Sequence, residues 1–383
     1  CLNCKNPLCI KGCPIENNIP GFIHQLSMGN IGAAMHIINE KSNLPAICGR
    51  VCPHEKQCVG HCVLNAKKRP IQVGKLERFA ADFDGNMGLI RDKIPQKTRG
   101  KVAVIGSGPA GLTVAGDLAR EGFNVMIFEG EQEAGGVLMY GIPEYRLPKD
   151  VVRKEVKKIE ALGVTFITQC MVGQTITVDD MFEQGFDAVF IGSGTALPKS
   201  LDTPGYTLRG VTQSSYFLRM ASLCNTGSIG REEVPVKRGD IVGVIGGGNV
   251  AMDAARTALR MGAGKVYVLF RRTMDQMSAL QTEYNEAVEE GVEFLWETSV
   301  TEFIGSNGKL EKIRVKTPEG ENFMPIDRIL LAIGSRPANR IVSTTSGIEV
   351  DDTGYVITKE RPYGMTTRKG VFAGGDVVHT PQT

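Results

Sequence analysis

The residues most able to do chemistry are cysteines crowded at the front of the chain. Eight of the ten cysteines of this 383-residue chain fall in two runs, "CLNCKNPLCIKGCP" and "CGRVCPHEKQCVGHC". Their cysteines are Cys1, Cys4, Cys9 and Cys13, then Cys48, Cys52, Cys58 and Cys62. Disulfide-bonded secreted proteins rarely crowd their cysteines at one end of a long chain, whereas clustered thiols in a reducing compartment indicate metal. The two runs therefore predict a metal-binding front segment.

The spacing within the runs distinguishes between kinds of metal site. Zinc ribbons usually have C-x2-C pairs joined by a longer loop. Here two, four and three residues separate the first cysteines, and three, five and three separate the second. Cys13 and Cys52 each precede a proline, as does the last cysteine of the bacterial ferredoxin run, which binds the other cluster of a pair. The spacing favours iron–sulfur clusters, with zinc as the main alternative and disulfides last.

A glycine-rich turn follows the first strand-like segment of the chain. In "KVAVIGSGPAGLTVAGDLAREGFNVMIFEG" (101–130), a GxGxxG pattern lies between an apolar strand and a helix. Such glycines allow a tight turn and close approach of a pyrophosphate to the helix N-terminus, and an acidic residue after the next strand accepts hydrogen bonds from ribose. The predicted dinucleotide contacts are Gly106, Gly108, Pro109, Ala110, Gly111 and Glu129. The alternative is a glycine turn without a ligand.

The same pattern recurs at "DIVGVIGGGNVAMDAARTALRMGAGKVYVLFRR" (240–272), with alanine tolerated at the third glycine position. Its candidate contacts are Gly246, Gly248, Asn249, Val250, Ala251, Arg271 and Arg272. Where the first copy has Glu129, the second has two arginines. Guanidinium groups bind a ribose 2′-phosphate, which a carboxylate would repel. This copy therefore predicts a preference for NADPH over NADH, the alternative being a solvated arginine pair.

Residues 1–95 lack the alternation of strands and carry apolar residues at helical spacing, as in the helix predicted for "IQVGKLERFAADF" (71–83). This segment has little apolar material, so we expect metal to help it fold. "PQKTRGK" (95–101) is a polar connector. The predicted fold class is α/β, with two Rossmann-like dinucleotide-binding domains preceded by a small α-helical iron–sulfur domain.

Composition excludes several function classes. The net charge is +2, 42% of residues are hydrophobic and 22% are charged, as in soluble globular proteins. No strong basic field points to nucleic acid, and no apolar run is long enough to span a membrane. We expect a cytoplasmic protein. The chain starts at Cys1 rather than Met and ends seven residues after Asp376, so we expect both ends to lie within a longer protein.

Together with "GVFAGGDVV" (370–378), the two glycine turns resemble the two-dinucleotide-binding flavoprotein superfamily. The resemblance implies an FAD domain that is split by an inserted NADPH domain. The implied domains are 1–95 for the clusters, 96–200 with 330–383 for FAD, and 201–329 for NADPH. Further FAD contacts implied by the resemblance are Gly136, Leu138, Arg146, Val172, Gly194, Gly375, Asp376 and Thr383.

A narrower resemblance covers essentially the whole chain. The pattern CxxCxxxxCxxxCP, the later GRVCPxxxxCVGHC and "YGIPEYRLPK" (140–149) resemble the glutamate synthase small (β) subunit. Its relatives include the N-terminal half of dihydropyrimidine dehydrogenase and the large subunit of the NADH-dependent ferredoxin–NADP oxidoreductase. "GGGNVAMDAAR" and "FRRTMDQMSA" are similar to the same family, which often has Met-Pro where this chain has Met277-Ser278.

The family resemblance implies two [4Fe–4S] clusters with interleaved ligands. One would use Cys1, Cys4, Cys9 and Cys62, and the other Cys13, Cys52, Cys58 and an oxygen of Glu77. The alternative assigns each run of four cysteines to its own cluster, with Glu77 a solvated helix carboxylate. The sequence alone leaves both groupings open.

The implied activity is electron transfer from NADPH to FAD and through the clusters to an acceptor. That acceptor would be a large glutamate synthase-type subunit or another electron-accepting protein. Alternatives are a ferredoxin–NADP oxidoreductase-type subunit, a free-standing NADPH-dependent reductase, or a zinc-stapled docking module. A thioredoxin reductase-like reading needs a redox C-x-x-C, but Cys170 and Cys224 are isolated. No catalytic acid or base is predicted, because the flavin carries the chemistry.

Overall fold

The computed structural model describes residues 1–89 and 94–379. The chain forms two compact units. The first comprises Cys1–Met139, Tyr145–Ala196 and the chain from Pro337 onward, and the second comprises Tyr140–Glu144 and Leu197–Arg336. The front helices therefore share a compact unit with the first glycine turn. Along the chain, the second unit is inserted into the first.

The α-helices are α1 (Leu8–Lys11), α2 (Ile19–Ser27), α3 (Ile31–Asn39), α4 (Pro45–Val51), α5 (Val73–Met87), α6 (Pro109–Arg120), α7 (Val137–Tyr140), α8 (Lys149–Ala161), α9 (Val178–Glu183), α10 (Ser214–Asn225), α11 (Asn249–Arg260), α12 (Gln281–Glu289) and α13 (Arg340–Ser343). The strands are β1 (Lys101–Ile105), β2 (Asn124–Phe128), β3 (Thr165–Ile167), β4 (Ala188–Ile191), β5 (Leu197–Pro198), β6 (Val211–Gln213), β7 (Ile241–Ile245), β8 (Lys265–Leu269), β9 (Glu293–Leu295), β10 (Ser299–Ser306), β11 (Lys309–Thr317), β12 (Gly320–Pro325), β13 (Arg328–Leu331), β14 (Ser335–Arg336), β15 (Thr358–Glu360), β16 (Tyr363–Thr366) and β17 (Val371–Ala373). Short 3₁₀ turns lie at Val63–Lys67, Arg231–Glu233, Met274–Gln276 and Gly375–Val377.

The front of the chain is helical, as the sequence predicts. The apolar faces of α2, α3 and α5 bury Phe22, Ile38 and Ala80 in one small core. α5 runs over Val73–Met87 rather than over 71–83. It ends where Gly88 adopts a φ of 62°, a left-handed conformation that glycine allows at a helix C-terminus.

The first unit contains a sheet with the order β15-β16-β17-β4-β1-β2-β3 in the described residues. Pairing is parallel from β17 through β3. Residues 102–105 of β1 are all buried, which is typical of a strand covered on both faces. α6 connects β1 to β2 and packs on both strands. The carboxyl ends of β1 and β2 therefore bring the first glycine turn beside the residue that follows β2.

The second unit contains a parallel sheet with the order β6-β13-β7-β8-β9. α11 connects β7 and β8, and Ala251, Ala255 and Ala258 are fully buried on it. Their small side chains permit close packing of helix against sheet. An antiparallel sheet of β10, β11 and β12 belongs to the same unit.

The observed ends of the inserted unit differ from the predicted 201–329. The unit begins at Leu197 because β5 pairs with β14, and it extends to Arg336. It includes β13, which pairs with β6 and β7. The predicted α/β fold class is confirmed by the two sheets and their helices. Within residues 1–89 and 94–379, no helix is long and apolar enough to cross a membrane.

Candidate functional site

One cavity in the helical front has cysteines in its wall. Its thiols are Cys1, Cys4, Cys9 and Cys62, named here the first cysteine group. Burial raises the pKa of the Cys9 thiol, and the nearby Cys62 and Cys4 raise it further. Cys62, which closes the second run of the sequence, therefore joins three cysteines of the first run. Cys13 is not among the described residues that line this cavity.

A second set of ligand-type side chains lies deeper in the front. It consists of Cys13, Cys52, Cys58 and Glu77, named here the second cysteine group. Burial raises the pKa of Cys58 to about 12, and the nearby Cys13 and Glu77 act in the same direction. Glu77 is only 7% exposed, and burial holds its pKa well above the usual range. Glu77 is therefore a buried neighbour of these thiols and not the solvated carboxylate of the alternative reading.

Cys48 lies beside the second cysteine group. Its thiol is hydrogen-bonded to that of Cys52, and its Sγ lies 3.7 Å from Ser42 Oγ. This hydrogen bond, together with burial, raises the pKa of Cys52. Among residues 1–89 and 94–379, no three His, Cys, Asp or Glu side chains converge on a single-ion site. The thiols form two neighbourhoods: Cys1, Cys4, Cys9 and Cys62 line the cavity, and Cys48 lies with Cys13, Cys52, Cys58 and Glu77 in the other.

The crossing of α4 and α5 positions the second group. A Cβ atom on Gly49 would lie 2.5 Å from the backbone nitrogen of Arg78, so only glycine lets the helices approach this closely. The approach brings Cys48 in α4, and Cys52 directly after it, to Glu77 on α5. A Cβ on Gly74 of α5 would lie 2.2 Å from His54 Nε2, so this glycine leaves room for the His54 ring. Gly49 thus lets the two helices bring the ligand-type residues together.

The first glycine turn has the geometry of a pyrophosphate site. Gly106 has a φ of 93°, and a Cβ on Gly111 would lie 1.9 Å from the Gly106 carbonyl oxygen. Gly108 has no heavy atom within 4 Å of its Cβ position, so its outer face is open. α6 begins directly after it at Pro109, and no side chain caps the helix N-terminus. Its free N–H groups can therefore bind an anion.

Glu129 follows β2 and is held next to this turn. Its Oε2 accepts a 2.9 Å hydrogen bond from Ser107 N and another from the Ser107 hydroxyl. Its Oε1 accepts a 2.8 Å bond from Glu131 N. The Ser107 hydroxyl in turn accepts from Gly135 N at 2.9 Å. Ser107 is thus a site residue that sequence reasoning missed, because it occupies a variable position of the motif.

The other predicted FAD contacts lie in the first unit. Leu138 and Val172 are buried, Arg146 is half-buried, and Gly136 and Gly194 have left-handed φ values. A Cβ on Gly136 would lie 3.0 Å from Gly108 Cα. Thr383 lies outside the described residues.

The turn after β17 adjoins the start of α6. A Cβ on Gly375 would lie 2.8 Å from Ala110 Cβ. Burial raises the pKa of the neighbouring Asp376, partly offset by His379. Lys149, also missed from the sequence, is 1% exposed and its Nζ donates a 2.9 Å hydrogen bond to the Leu138 carbonyl. It therefore fixes the segment that carries Gly136 and Leu138.

The second glycine turn has the same tight packing. Gly246 has a φ of 144°, and a Cβ there would lie 2.4 Å from the Ala332 carbonyl oxygen. Asn249 begins α11, and its Oδ1 accepts a 2.9 Å hydrogen bond from Leu280 N. This side chain therefore holds the 273–280 loop beside the turn, a role that the motif does not predict. Ala251 is fully buried, whereas Val250 is 45% exposed.

Arg271 and Arg272 are exposed just beyond β8. They follow Phe270, whose ring packs against the turn: a Cβ on Gly247 would lie 2.5 Å from it. The structure thus brings the arginine pair to the carboxyl edge of the second sheet, where the turn also lies. Their guanidinium groups are accessible to an anionic ligand at that edge.

Comparisons with known proteins found matches for both the cysteine-rich helical front and the region of the two glycine turns. Residues 100–383 match the pyridine nucleotide-disulphide oxidoreductase family. Residues 1–89 match the family described as dihydropyrimidine dehydrogenase domain II, 4Fe-4S cluster. The solved structure of Mycobacterium tuberculosis FprA in complex with NADPH has a TM-score of 0.62 at 19% identity, covering 74% of this chain and 80% of that one. That likeness shows the fold.

Whole-length relatives define the family more narrowly. The glutamate synthase [NADPH] small chain of Halomonas elongata is 35% identical, over 99% of this chain and 84% of that protein. The Escherichia coli NAD-dependent dihydropyrimidine dehydrogenase subunit PreT is 32% identical, over 100% of this chain and 88% of its own length. The chain therefore belongs to the pyridine nucleotide-disulphide oxidoreductase family, within the group of flavin- and 4Fe–4S-containing NADPH oxidoreductases that includes the glutamate synthase small chains.

Proposed function

We propose that the chain takes electrons from NADPH and delivers them, through FAD and two [4Fe–4S] clusters, to a partner of the glutamate synthase large-subunit kind. The observation that carries this proposal is the cavity where Cys62 joins Cys1, Cys4 and Cys9. It lies in the compact unit that also contains the first glycine turn. The presence of a thiol set and a dinucleotide turn in one compact unit supports electron transfer between the groups that they would hold.

The donor sets match the proposed clusters. The first cysteine group offers four thiols, the number that a [4Fe–4S] cluster needs. The second offers three thiols and the buried carboxylate of Glu77. A carboxylate ligand is harder than a thiolate and would give the second cluster a different potential. Cys48 is hydrogen-bonded to Cys52 and is not needed as a ligand in this assignment.

The first glycine turn has the groups needed to hold FAD. Bound FAD would accept hydride from NADPH and release electrons singly, which is the chemistry of the cofactor itself. The protein binds and orients it: the N-terminus of α6 faces the pyrophosphate and Glu129 the ribose hydroxyls. The backbone N–H groups of Ser107 and Glu131 orient that carboxylate through hydrogen bonds of 2.9 Å and 2.8 Å. The remaining predicted contacts complete the FAD site.

The second glycine turn has the groups needed to bind NADPH. In this assignment the backbone at Gly246 and Gly248 faces the pyrophosphate, and Arg271 and Arg272 bind the 2′-phosphate. The exposure of both guanidinium groups supports this role, because a 2′-phosphate at the sheet edge would be within their reach. We further propose that the protein works in the cytoplasm, where its thiols stay reduced.

The test is an anaerobic preparation of the chain analysed for iron, sulfide, flavin and zinc. The proposal expects about eight irons and one FAD per chain, with clusters that NADPH reduces and electron paramagnetic resonance detects. Stoichiometric zinc without iron would instead identify a docking module. Isolation of the chain from its host with a large amidotransferase or FMN subunit would support the proposed partner, and isolation with a different electron acceptor would replace it.

A further inference from the structure

A concentration of positive charge surrounds the cavity of the first cysteine group. Residues 1–15 and 56–76 contain seven lysines or arginines and no aspartate or glutamate. The whole chain is nearly balanced, with 44 basic and 42 acidic residues. The positive charge of these two segments is therefore a local feature of the helical front that contains the cysteine groups.

Five of these cations are close in sequence to residues of the cavity wall. Lys5 lies between the lining residues Cys4 and Pro7, and Lys11 follows Cys9 by two positions. The other three cations follow Leu64 and precede Ile71, both of which also line the cavity. The five are Lys5, Lys11, Lys67, Lys68 and Arg69, and all of them are exposed. None makes an ion pair with another residue of the described chain.

Apolar side chains lie inside this basic rim. Leu2, Leu8 and Val63 are 64%, 41% and 42% exposed, and all three line the same cavity. An exposed apolar centre surrounded by charged residues is characteristic of a protein-binding surface. Cys1, a member of the first cysteine group, is itself exposed at this centre.

We propose that this surface, the basic rim with its apolar centre, docks the acidic face of an electron-carrier protein. The inference rests on the proposed function, because the docked carrier would take electrons from the first cluster. Unpaired cations attract an acidic partner at long range, and the apolar centre excludes water once contact is made. The carrier's cofactor would then lie next to the exposed edge of the cluster site.

A protein is favoured over other anionic partners. A membrane surface would require an amphipathic helix with a basic face, whereas α1, which carries Leu8 and Lys11, has only four residues. Nucleic acid binding usually combines a broad basic stripe with a strongly positive domain. Here the cations are grouped close to the residues that line one cavity, which favours a protein partner.

The experiment compares acceptors of opposite charge using the full, cluster-loaded chain and NADPH. The acceptors are an acidic plant-type [2Fe–2S] ferredoxin and the basic cytochrome c. A rim variant carries Lys5→Glu, Lys11→Glu, Lys67→Glu and Lys68→Glu. A matched control carries the same charge change at exposed lysines elsewhere, Lys154→Glu, Lys157→Glu, Lys309→Glu and Lys316→Glu. Iron content and flavin reduction by NADPH establish that both variants are intact.

At low salt, the rim variant should lose on the order of tenfold or more in kcat/KM for ferredoxin. Its rate should also become nearly independent of salt, and its rate with cytochrome c should not fall. The control variant should behave like the parent. Equal ferredoxin kinetics in rim variant and parent would overturn the docking proposal.

Two further results have separate meanings. If NADPH does not reduce the flavin of the parent, the proposed function fails, whatever the rim does. If the parent co-sediments with vesicles of phosphatidylserine and phosphatidylcholine, and the rim variant neither binds them nor differs in ferredoxin reduction, the surface recognises lipid. That outcome would replace the docking proposal with a membrane contact.

Discussion

Ser107 occupies a variable position of its glycine motif, yet its hydroxyl contacts Glu129 and the Gly135 amide. It thereby links three segments that are distant in sequence. Lys149 and Asn249 act in the same way, through hydrogen bonds to Leu138 and Leu280. Residues of this kind orient the predicted contacts without matching any pattern themselves, because their partners are set only by tertiary packing.

Replacement of Gly111 by alanine should displace FAD. The added Cβ would lie 1.9 Å from the Gly106 carbonyl oxygen, so the turn must open, at a cost of about 1–3 kcal/mol. Flavin content of the purified variant is the measurement. Gly85→Ala is the matched control, since its Cβ meets no heavy atom within 4 Å and alanine favours the exposed helix. Full flavin content in Gly111→Ala would contradict the assigned role of this turn.

The double replacement Arg271→Ala and Arg272→Ala should raise the KM for NADPH by about tenfold or more, since hydrogen bonds to charged groups contribute roughly 1.5–3 kcal/mol each. The KM for NADH should change little, because NADH has no 2′-phosphate. Steady-state rates with both nucleotides measure this. Lys309→Ala with Lys316→Ala removes two exposed charges elsewhere in the same unit as a control. An equal loss with NADPH and NADH would exclude the 2′-phosphate role.

The two cysteine neighbourhoods predict different outcomes for neighbouring thiols. Cys62→Ser should remove one cluster, about half of the iron, because Cys62 lines the cavity with Cys1, Cys4 and Cys9. Cys48→Ser should leave both clusters in place, because in the proposed assignment Cys48 is a neighbour of Cys52 and not itself a ligand. Iron content and paramagnetic resonance distinguish these results. Loss of a cluster in Cys48→Ser would favour the sequential grouping instead.

At the scale of elements, strands and glycine turns were predictable, and the grouping of thiols was not. β1, β2, β7 and β8 are short apolar runs with a turn at one end, a local pattern. The approach of Cys62 to Cys9 instead depends on how the helices between them pack. The crossing of α4 and α5 at Gly49 is equally invisible in the sequence, because a glycine in a helix does not identify its neighbour.

The junction of α4 and α8 contains a buried carboxylate, Glu155. Glu155 is 1% exposed, and its carboxylate is hydrogen-bonded to the backbone of Ala46. Lys158 Nζ lies 2.8 Å from its Oε1. No partner of its Oε2 is found among the described residues. Burial raises the pKa of Glu155, with Lys158 opposing and Asp84 adding to the rise. α8 thus meets the helical front at a buried carboxyl group whose pKa is raised.

The replacement Glu155→Gln should weaken the pH dependence of stability. A raised folded-state pKa means that the folded chain binds more protons than the unfolded chain. The contribution of this group to the free energy of unfolding is therefore fully present below the ordinary carboxyl pKa and is lost as pH rises above it. Gln keeps the shape without the titration. As pH rises above the ordinary carboxyl pKa, the free energy of unfolding obtained from urea titrations should therefore fall less in the variant than in the parent.

Glu160→Gln provides the control for this measurement, because Glu160 is an exposed carboxylate on the same helix. Its pH profile should follow that of the parent. A parallel pH dependence in Glu155→Gln and the parent would show that Glu155 titrates as an ordinary carboxyl group. The anaerobic, cluster-loaded chain is used throughout, so that iron loss does not contribute to the unfolding signal.

At the scale of the whole molecule, the helical front and the first sheet share one compact unit but differ in what stabilises them. The sheet has a large apolar core of its own. The front has a smaller one and buries Cys58 and Glu77 beside it. Buried ionisable groups cost free energy unless they are paired or bound to metal. Iron should therefore stabilise residues 1–89 far more than the sheet region.

Removal of iron by anaerobic chelation should increase hydrogen exchange across residues 1–89 while β1, β2 and β4 remain protected. The reason is that metal binding supplies folding free energy to small domains with limited cores. Mass spectrometry of peptic peptides from the loaded and iron-free chains measures the difference, and retained flavin absorbance establishes that the sheet region stays folded. Contacts such as the 2.6 Å hydrogen bond from Asn43 Nδ2 to Asp117 Oδ1 should preserve more protection around α4 than around α1. Equal protection of residues 1–89 with and without iron would mean that the helical core alone is sufficient to fold the front.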